Sequence, residues 1–148
     1  MAIKETLKLS GEVTITTTHI DGSTDVVVHK NLVVNTGLAF MAARMKDASV
    51  APMSHMAVGS GTTPTAGTDI ALVTELGRSA FGTVDLLNNK ITYNASFPPG
   101  VATGAISEAG VLNAAAAGAM LCRTVFPVVN KLEADSVNLA WAVTIIAA

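Results

Sequence analysis

Four residues have the types used in nucleophilic and acid–base catalysis: Ser54, His55, Glu108 and Cys122. Ser54 and His55 are adjacent, and adjacent side chains of a β-strand point to opposite faces, so the sequence predicts no serine–histidine pair. There is no G-x-S-x-G motif, and a cysteine within a predicted strand is typical of a small buried side chain. We predict no catalytic residues, and a hydrolase that uses Ser54, His55 and Glu108 is a distant alternative.

The sequence also contains no clear motif for metal binding or phosphate binding. The sequence lacks H-x-x-x-H, C-x-x-C and D-x-D-x-D-G spacings. Its aspartates fall mostly at predicted turns, where the carboxylate bonds the local backbone. Residues 59–63 superficially resemble a phosphate loop but lack the Lys-Ser/Thr pair and a following helix. We predict no metal ion and no cofactor.

One carboxylate, Glu108, lies within an apolar segment that is predicted to be a strand. A buried carboxylate needs a cationic partner, because an unpaired charge is costly to remove from water. Arg78 and Arg123 are both candidate partners, and Glu75 also lies three residues before Arg78. We predict that Arg78, Glu108 and Arg123 supply a structural ion pair that holds the fold.

Hydrophobic periodicity predicts that most of the chain is β-strand. Leu7, Leu9, Val13 and Ile15 alternate with polar residues, and Asp21-Gly22 favours a tight hairpin turn. Further strands are predicted at residues 24–34, 54–58, 78–87, 90–97, 104–112, 120–128 and 136–146. Residues 36–46 are rich in helix formers and predict one helix, with Asn35 or Thr36 as its N-cap.

Short strands in this number, with one helix and no β-α-β alternation, indicate an all-β fold. The expected architecture is a two-sheet antiparallel sandwich or jelly roll. No composition shift marks a linker, so residues 1–148 are predicted to form a single domain. Residues 1–6 have no core pattern and are expected to be a flexible N-terminal arm.

The composition excludes several classes of function. A hydrophobic fraction of 50% excludes disorder, and nine Lys+Arg against eleven Asp+Glu disfavour a basic nucleic-acid surface. The longest apolar runs are interrupted or too short to cross a membrane as a helix. Charged residues are only 14% of the chain, whereas Thr, Asn and Gly number 17, 8 and 12. This balance favours a Thr-rich β-surface, a surface covered by partner chains, or both.

Several ordered segments resemble small structural proteins of tailed bacteriophages. Residues 30–38, KNLVVNTGL, resemble their strand-to-helix segment, and residues 55–63, HMAVGSGTT, with Leu72, Glu75 and Arg78 are similar to another recurring segment. Residues 108–113, EAGVLN, and 123–131, RTVFPVVNK, complete the set. The resemblance implies a capsid cement (decoration) protein, with a tail, neck, baseplate or fibre-base module as the alternative.

As a cement protein, the chain is expected to be made in the host cytoplasm and to bind the capsid exterior. Its partners would be the major capsid protein and other copies of itself, with no nucleic acid and no membrane. The arm and the loop at residues 59–69 supply the predicted interface residues, which are Lys4, Thr6, Gly59, Gly61, Thr63 and Pro64. Both segments are expected to be mobile in the free protein and ordered on the particle. The first or the last strand is the expected exposed sheet edge.

Overall fold

The computed structural model describes residues 3–147. Within that range the chain forms ten strands and one helix. The strands are Leu7–Thr18 (β1), Thr24–Lys30 (β2), Leu32–Val33 (β3), His55–Gly59 (β4), Glu75–Ala80 (β5), Thr83–Leu87 (β6), Lys90–Phe97 (β7), Gly104–Leu112 (β8), Met120–Lys131 (β9) and Ser136–Ala147 (β10). The helix is Asn35–Lys46 (α1).

The strands form two antiparallel sheets of five strands each. Sheet 1 has the order β2-β1-β10-β7-β6, and sheet 2 has the order β3-β9-β8-β4-β5. The inward side chains of both sheets share one core, which contains Trp141 and Phe97 from sheet 1 and Met56 and Ile106 from sheet 2. The prediction of an all-β, two-sheet antiparallel sandwich with one short helix is confirmed.

The first hairpin follows directly from its sequence. Val13 and Ile15 of β1 point into the core, and the polar residues between them point outward. The turn after β1 reverses the chain at Gly22, which has a φ of 84° that favours glycine. Ser23 bonds the Asp21 carboxylate through its backbone N–H and its hydroxyl, which closes the turn. The predicted strand at residues 7–18 and its turn are both confirmed.

The predicted strand at residues 78–87 is wrong, because this segment contributes to both sheets. Strand β5 ends at Ala80 in sheet 2, and β6 begins at Thr83 in sheet 1. Phe81 lies between them, stacks on Tyr93 and donates its backbone N–H to Ser54. The pattern of residues 78–87 does not report this change of sheet, since the change depends on the packing of Phe81 against Tyr93 and on its bond to Ser54.

Helix α1 lies where the sequence predicts it, but its cap differs from the prediction. The N-cap position is Val34 and makes no side-chain cap bond. The Thr36 hydroxyl instead donates to the carbonyl of Met120 on β9. Two large apolar residues of the helix, Leu38 and Met45, are exposed. The helix therefore adds apolar surface to the molecule.

The prediction that β1 or β10 is a sheet edge is wrong. Strand β1 lies between β2 and β10, and β10 lies between β1 and β7. The edges of sheet 1 are β2 and β6, and those of sheet 2 are β3 and β5. Both strands are twelve residues long and pair with each other along their whole length, and each also pairs with a shorter strand on its other side.

Candidate interaction surfaces

A fully buried ion pair lies on the outer side of sheet 2. Arg123 on β9 is paired in register with Gly110, two residues from Glu108 on β8, so both charged side chains share one face. Arg123 donates from Nη2 and Nε to Glu108 Oε2, at 2.8 and 3.1 Å. Its remaining N–H groups donate to the Asp69 carboxylate and the Thr63 carbonyl. The guanidinium is thus tied to both a strand and a loop.

Glu108 also accepts three backbone hydrogen bonds. The N–H groups of Thr74 and Gly61 donate to Oε1 at 2.8 and 3.0 Å, and the N–H of Val73 donates to Oε2 at 3.0 Å. Burial by itself raises the pKa of Glu108, but the bonds from Thr74, Val73, Arg123 and Gly61 outweigh it and hold the pKa below its ordinary value. The buried carboxylate is therefore charged and fully paired.

These bonds fix residues 60–74, which we call the anchored loop, across the outer face of sheet 2. Leu72 packs in a small apolar cluster with Ala57, Leu112 and Met120. The Ser107 hydroxyl bonds the Gly61 carbonyl. The partners that hold the loop are charged residues on β8 and β9, which the loop's own sequence does not reveal, and its mobility in the free protein stays a prediction. The loop covers one of the two outer faces of the sandwich.

The structure separates the predicted interface residues into two groups. Gly59 and Gly61 are buried, and an added Cβ at either position would collide with the Glu108 carboxylate. Both glycines therefore leave room for the ion pair, and their place in an interface stays a prediction. The other four are exposed and lie in the anchored loop or in the residues before β1: Lys4, Thr6, Thr63 and Pro64. Residues 1–2 of the expected arm lie outside the described residues.

The third charged residue of the predicted set, Arg78, lies apart from Glu108. Arg78 on β5 forms a bridge of 2.7 Å with Glu75 and donates to the carbonyls of Ala114 and Ala117. Arg78 thus holds the turn between β8 and β9 against β5. Arg123, and not Arg78, is therefore the ion-pair partner of Glu108.

Ser54 and His55 meet, contrary to the prediction. The Ser54 hydroxyl lies 2.7 Å from His55 Nδ1. Strand β4 begins at His55, so the alternation of a strand does not apply to Ser54. Glu108 does not complete a triad with them, since its carboxylate is bound by the anchored loop and Arg123. Cys122 is buried, and burial raises the pKa of its thiol far above its ordinary value.

Within residues 3–147, the structure contains no helix that is both long and apolar enough to cross a membrane. The same part of the chain contains no group of three or more His, Cys, Asp or Glu side chains positioned to hold a metal ion.

A polar cluster that sequence reasoning missed lies at the β1–β2 turn. His19 bonds Asp135 through Nδ1 at 3.0 Å and Asp25 through Nε2 at 2.6 Å. These bonds to Asp25 and Asp135 raise the pKa of His19. The pKa of Asp135 is lowered by the backbone N–H of Leu132 and then by His19, against the effect of burial. The separation of 116 residues between His19 and Asp135 left no local signal for this contact.

The outer face of sheet 1 is solvent-accessible, unlike that of sheet 2. Thr14, Thr16 and Thr18 of β1 each pair with residues on the neighbouring strands and so form a row across the sheet. None of these three rows contains a charged residue. We call these outward residues the open face: Thr14, Thr16, Thr18, Thr24, Val26, Val28, Thr83, Asn94, Ser96, Ser136, Asn138 and Ala140. Val26 and Val28 are the large apolar side chains on it, and both are exposed. The Thr-rich β-surface expected from composition is located here.

The second accessible surface is the end of the sandwich beside α1, which we call the helix end. A cavity of about 220 Å³ lies there between α1 and the β6–β7 turn. An adjacent apolar groove of about 240 Å³ shares Met41 and Ile145 with it and extends to Leu7 and Met45. Apolar side chains thus cover much of this end of the molecule.

The chain matches no protein-family model, no curated protein and no solved structure. Its function therefore has to be inferred from these surfaces.

Proposed function

We propose that this chain is a structural subunit of a tailed-bacteriophage particle, a cement protein that binds the capsid exterior and bridges subunits of the major capsid protein. The observation that carries the proposal is the asymmetry of the sandwich. The outer face of sheet 2 is covered by the anchored loop, whereas the open face of sheet 1 presents neutral, small side chains.

The chemistry of the open face suits burial against another protein. Thr, Ser, Asn and Ala lose little hydration free energy on burial compared with charged side chains, and interface cores are depleted in charge. Val26 and Val28 add apolar area at one side of the face. A flat surface of this kind can cover the junction between two neighbouring subunits.

Bridging explains how such contacts stabilise a shell. A protein that binds the assembled shell and not its separate subunits shifts the equilibrium toward the shell by mass action. Contact with two subunits adds avidity without a stronger contact to either one. The phage particle itself is supported by the resemblance of the segments within residues 30–131.

The copy number in purified particles tests the proposal. We expect the chain in hundreds of copies per particle, as a protein that repeats over a capsid lattice requires. About six or twelve copies, the number in a symmetric ring, would contradict the cement function and favour a tail or neck module. Quantitative mass spectrometry against the major capsid protein gives this ratio.

A matched pair of variants tests the surface. Val28 on the open face is 50% exposed, and Val128 on β9 of sheet 2 is 53% exposed. We expect Val28→Glu to abolish co-sedimentation with assembled shells, because the interface would bury an unpaired carboxylate. Val128→Glu should co-sediment like the wild type. Equal binding by both variants would show that the open face is not the contact.

A further inference from the structure

The two ends of the sandwich carry opposite charge. The strands of sheet 1 run the length of the molecule, so the β1–β2 turn and the β9–β10 turn lie together at the end opposite α1. We call this the turn end. Its acids are Asp21, Asp25, Glu133 and Asp135, and its cations are His19, when protonated, and the buried Lys131.

The helix end is basic as well as apolar. Leu7 and Lys8 pair with the last residues of β10, and Lys90 follows the β6–β7 turn beside them. This end carries six cations, which are Lys4, Lys8, Lys30, Arg44, Lys46 and Lys90, and four acids, which are Glu5, Glu12, Asp47 and Asp85. Its excess of positive charge is complementary to the turn end.

A large apolar side chain projects from the acidic turn. Ile20 is 86% exposed at the tip of the β1–β2 turn, next to Asp21. Hydrogen bonds from His19 N–H to Ser23 and from Gly22 N–H to His19 hold the turn in shape. The backbone of the turn is therefore already ordered, so little backbone entropy is lost if Ile20 is buried in a partner.

The opposite end has a matching cavity. The cavity of about 220 Å³ is lined almost entirely by apolar groups, among them Phe40, Met41, Leu86, Ile91 and Ile145. It has room for one branched aliphatic side chain. Lys90 lies between the lining residues Asn89 and Ile91 in sequence, but its side chain is on the outer face of sheet 1, in the cross-strand row of Thr144 and Ser10.

We propose that the chain self-associates head to tail: Ile20 of one copy enters the helix-end cavity of the next, and the acidic turn end of the first copy faces the basic helix end of the second. The two surfaces lie at opposite ends of the same sheet, so they cannot meet within one molecule. Such a contact is heterologous and continues from copy to copy, giving a ring or a linear stack. The proposal concerns the free protein and does not depend on capsid binding through the open face.

Three variants test this contact. Ile20→Asp removes the projecting side chain and leaves the cavity intact. Leu86→Asp places a carboxylate in the cavity wall at an exposed position of β6 and leaves Ile20 intact. Ile70→Asp is the matched control, because Ile70 is 67% exposed in the anchored loop and belongs neither to the cavity lining nor to the β1–β2 turn. Circular dichroism and thermal unfolding verify that each variant folds like the wild type.

Sedimentation velocity then measures the mean mass over a range of concentrations. We expect the mass of the wild type and Ile70→Asp to rise with concentration, and each of the other variants to dissociate at least about tenfold more readily. A mixture of Ile20→Asp and Leu86→Asp should form dimers and nothing larger, because one intact cavity then meets one intact Ile20. Wild type that stays monomeric, Ile20→Asp that associates like the wild type, or a mixture that forms no dimer would each overturn the proposal.

Discussion

Glu108 shows how one residue connects two parts of this fold. Its carboxylate accepts bonds from Arg123 on the neighbouring strand and from three N–H groups of residues 61–74. Charge-assisted bonds in a buried site are stronger than those at the surface, and the loss of one partner leaves the others unpaired. Glu108 therefore supplies a large part of the bonding that holds the anchored loop, together with Arg123.

We predict that Glu108→Gln lowers the free energy of unfolding by about 3 kcal/mol, as expected when one partner of a buried pair is removed. The amide keeps the shape of the side chain, but its NH₂ would face backbone N–H donors, and Arg123 would lose its buried counter-charge. Urea denaturation measures the change. Glu75→Gln, in the more exposed bridge to Arg78, should cost at most about 1 kcal/mol. Equal losses for the two variants would contradict a special role for Glu108.

Gly61 provides a second test at the residue scale. A Cβ at this position would lie 2.5 Å from Glu108 Oε1, so the loop or the ion pair would have to move. We expect Gly61→Ala to lower the free energy of unfolding by about 1–3 kcal/mol, as overpacking does. In Gly82→Ala, the nearest atom to the new Cβ is the Asn94 carbonyl oxygen at 3.9 Å. Thermal unfolding should show a clear loss for the first variant and little change for the second.

At the scale of elements, the β1–β2 hairpin is held to the β9–β10 turn by His19. Asp25 is on β2 and Asp135 precedes β10, so the imidazole joins two hairpins that are far apart in sequence. Both carboxylates favour the protonated ring, since each can accept one of its two N–H groups.

This contact makes part of the stability depend on pH. The pKa of His19 is raised in the folded state, so its contribution is fully present below its ordinary value of about 6.5 and is lost as pH rises through the raised pKa. The lowered pKa of Asp135 has the opposite sign, and its contribution is lost as pH falls below about 3.8. We predict that between about pH 6 and pH 9 the wild type loses more stability than His19→Gln. Parallel urea titrations of the two proteins across this range would contradict the prediction.

At the scale of the whole molecule, each accessible surface has its own chemistry. The open face is neutral, the turn end is acidic with an apolar tip, and the helix end is basic and apolar. The chain has a low net charge, but its acidic and basic residues are unequally distributed between the two ends. Lateral contacts through the open face and end-to-end contacts can form in the same assembly.

Opposite charge at the two ends predicts that self-association weakens with salt. Raising NaCl from about 0.05 M to about 0.5 M shortens the screening length several-fold and weakens attraction between exposed charges. We expect a lower mean mass at high salt by sedimentation velocity, and Lys90→Glu should show the same lower mass at low salt. A mass that stays constant or rises with salt would contradict the electrostatic part of the contact.

The sequence by itself determined the local elements of this protein. Alternating apolar residues predict β1, Asp21-Gly22 predicts its turn, and helix formers predict α1 within one residue of its start. A carboxylate in an apolar strand also predicts a buried partner. These inferences succeed because each depends on neighbours within a few residues along the chain.

Only the tertiary structure decided which distant residues meet. It placed β1 and β10 in the middle of sheet 1, divided residues 78–87 between two sheets, and chose Arg123 for Glu108. It also showed that Gly59 and Gly61 lie against the Glu108 carboxylate, where a Cβ would collide with it. Alternation specifies which side of a strand is buried but not what packs against it. Glu108 and Gly61 are 47 residues apart, and their contact exists because the anchored loop packs on the outer side of sheet 2.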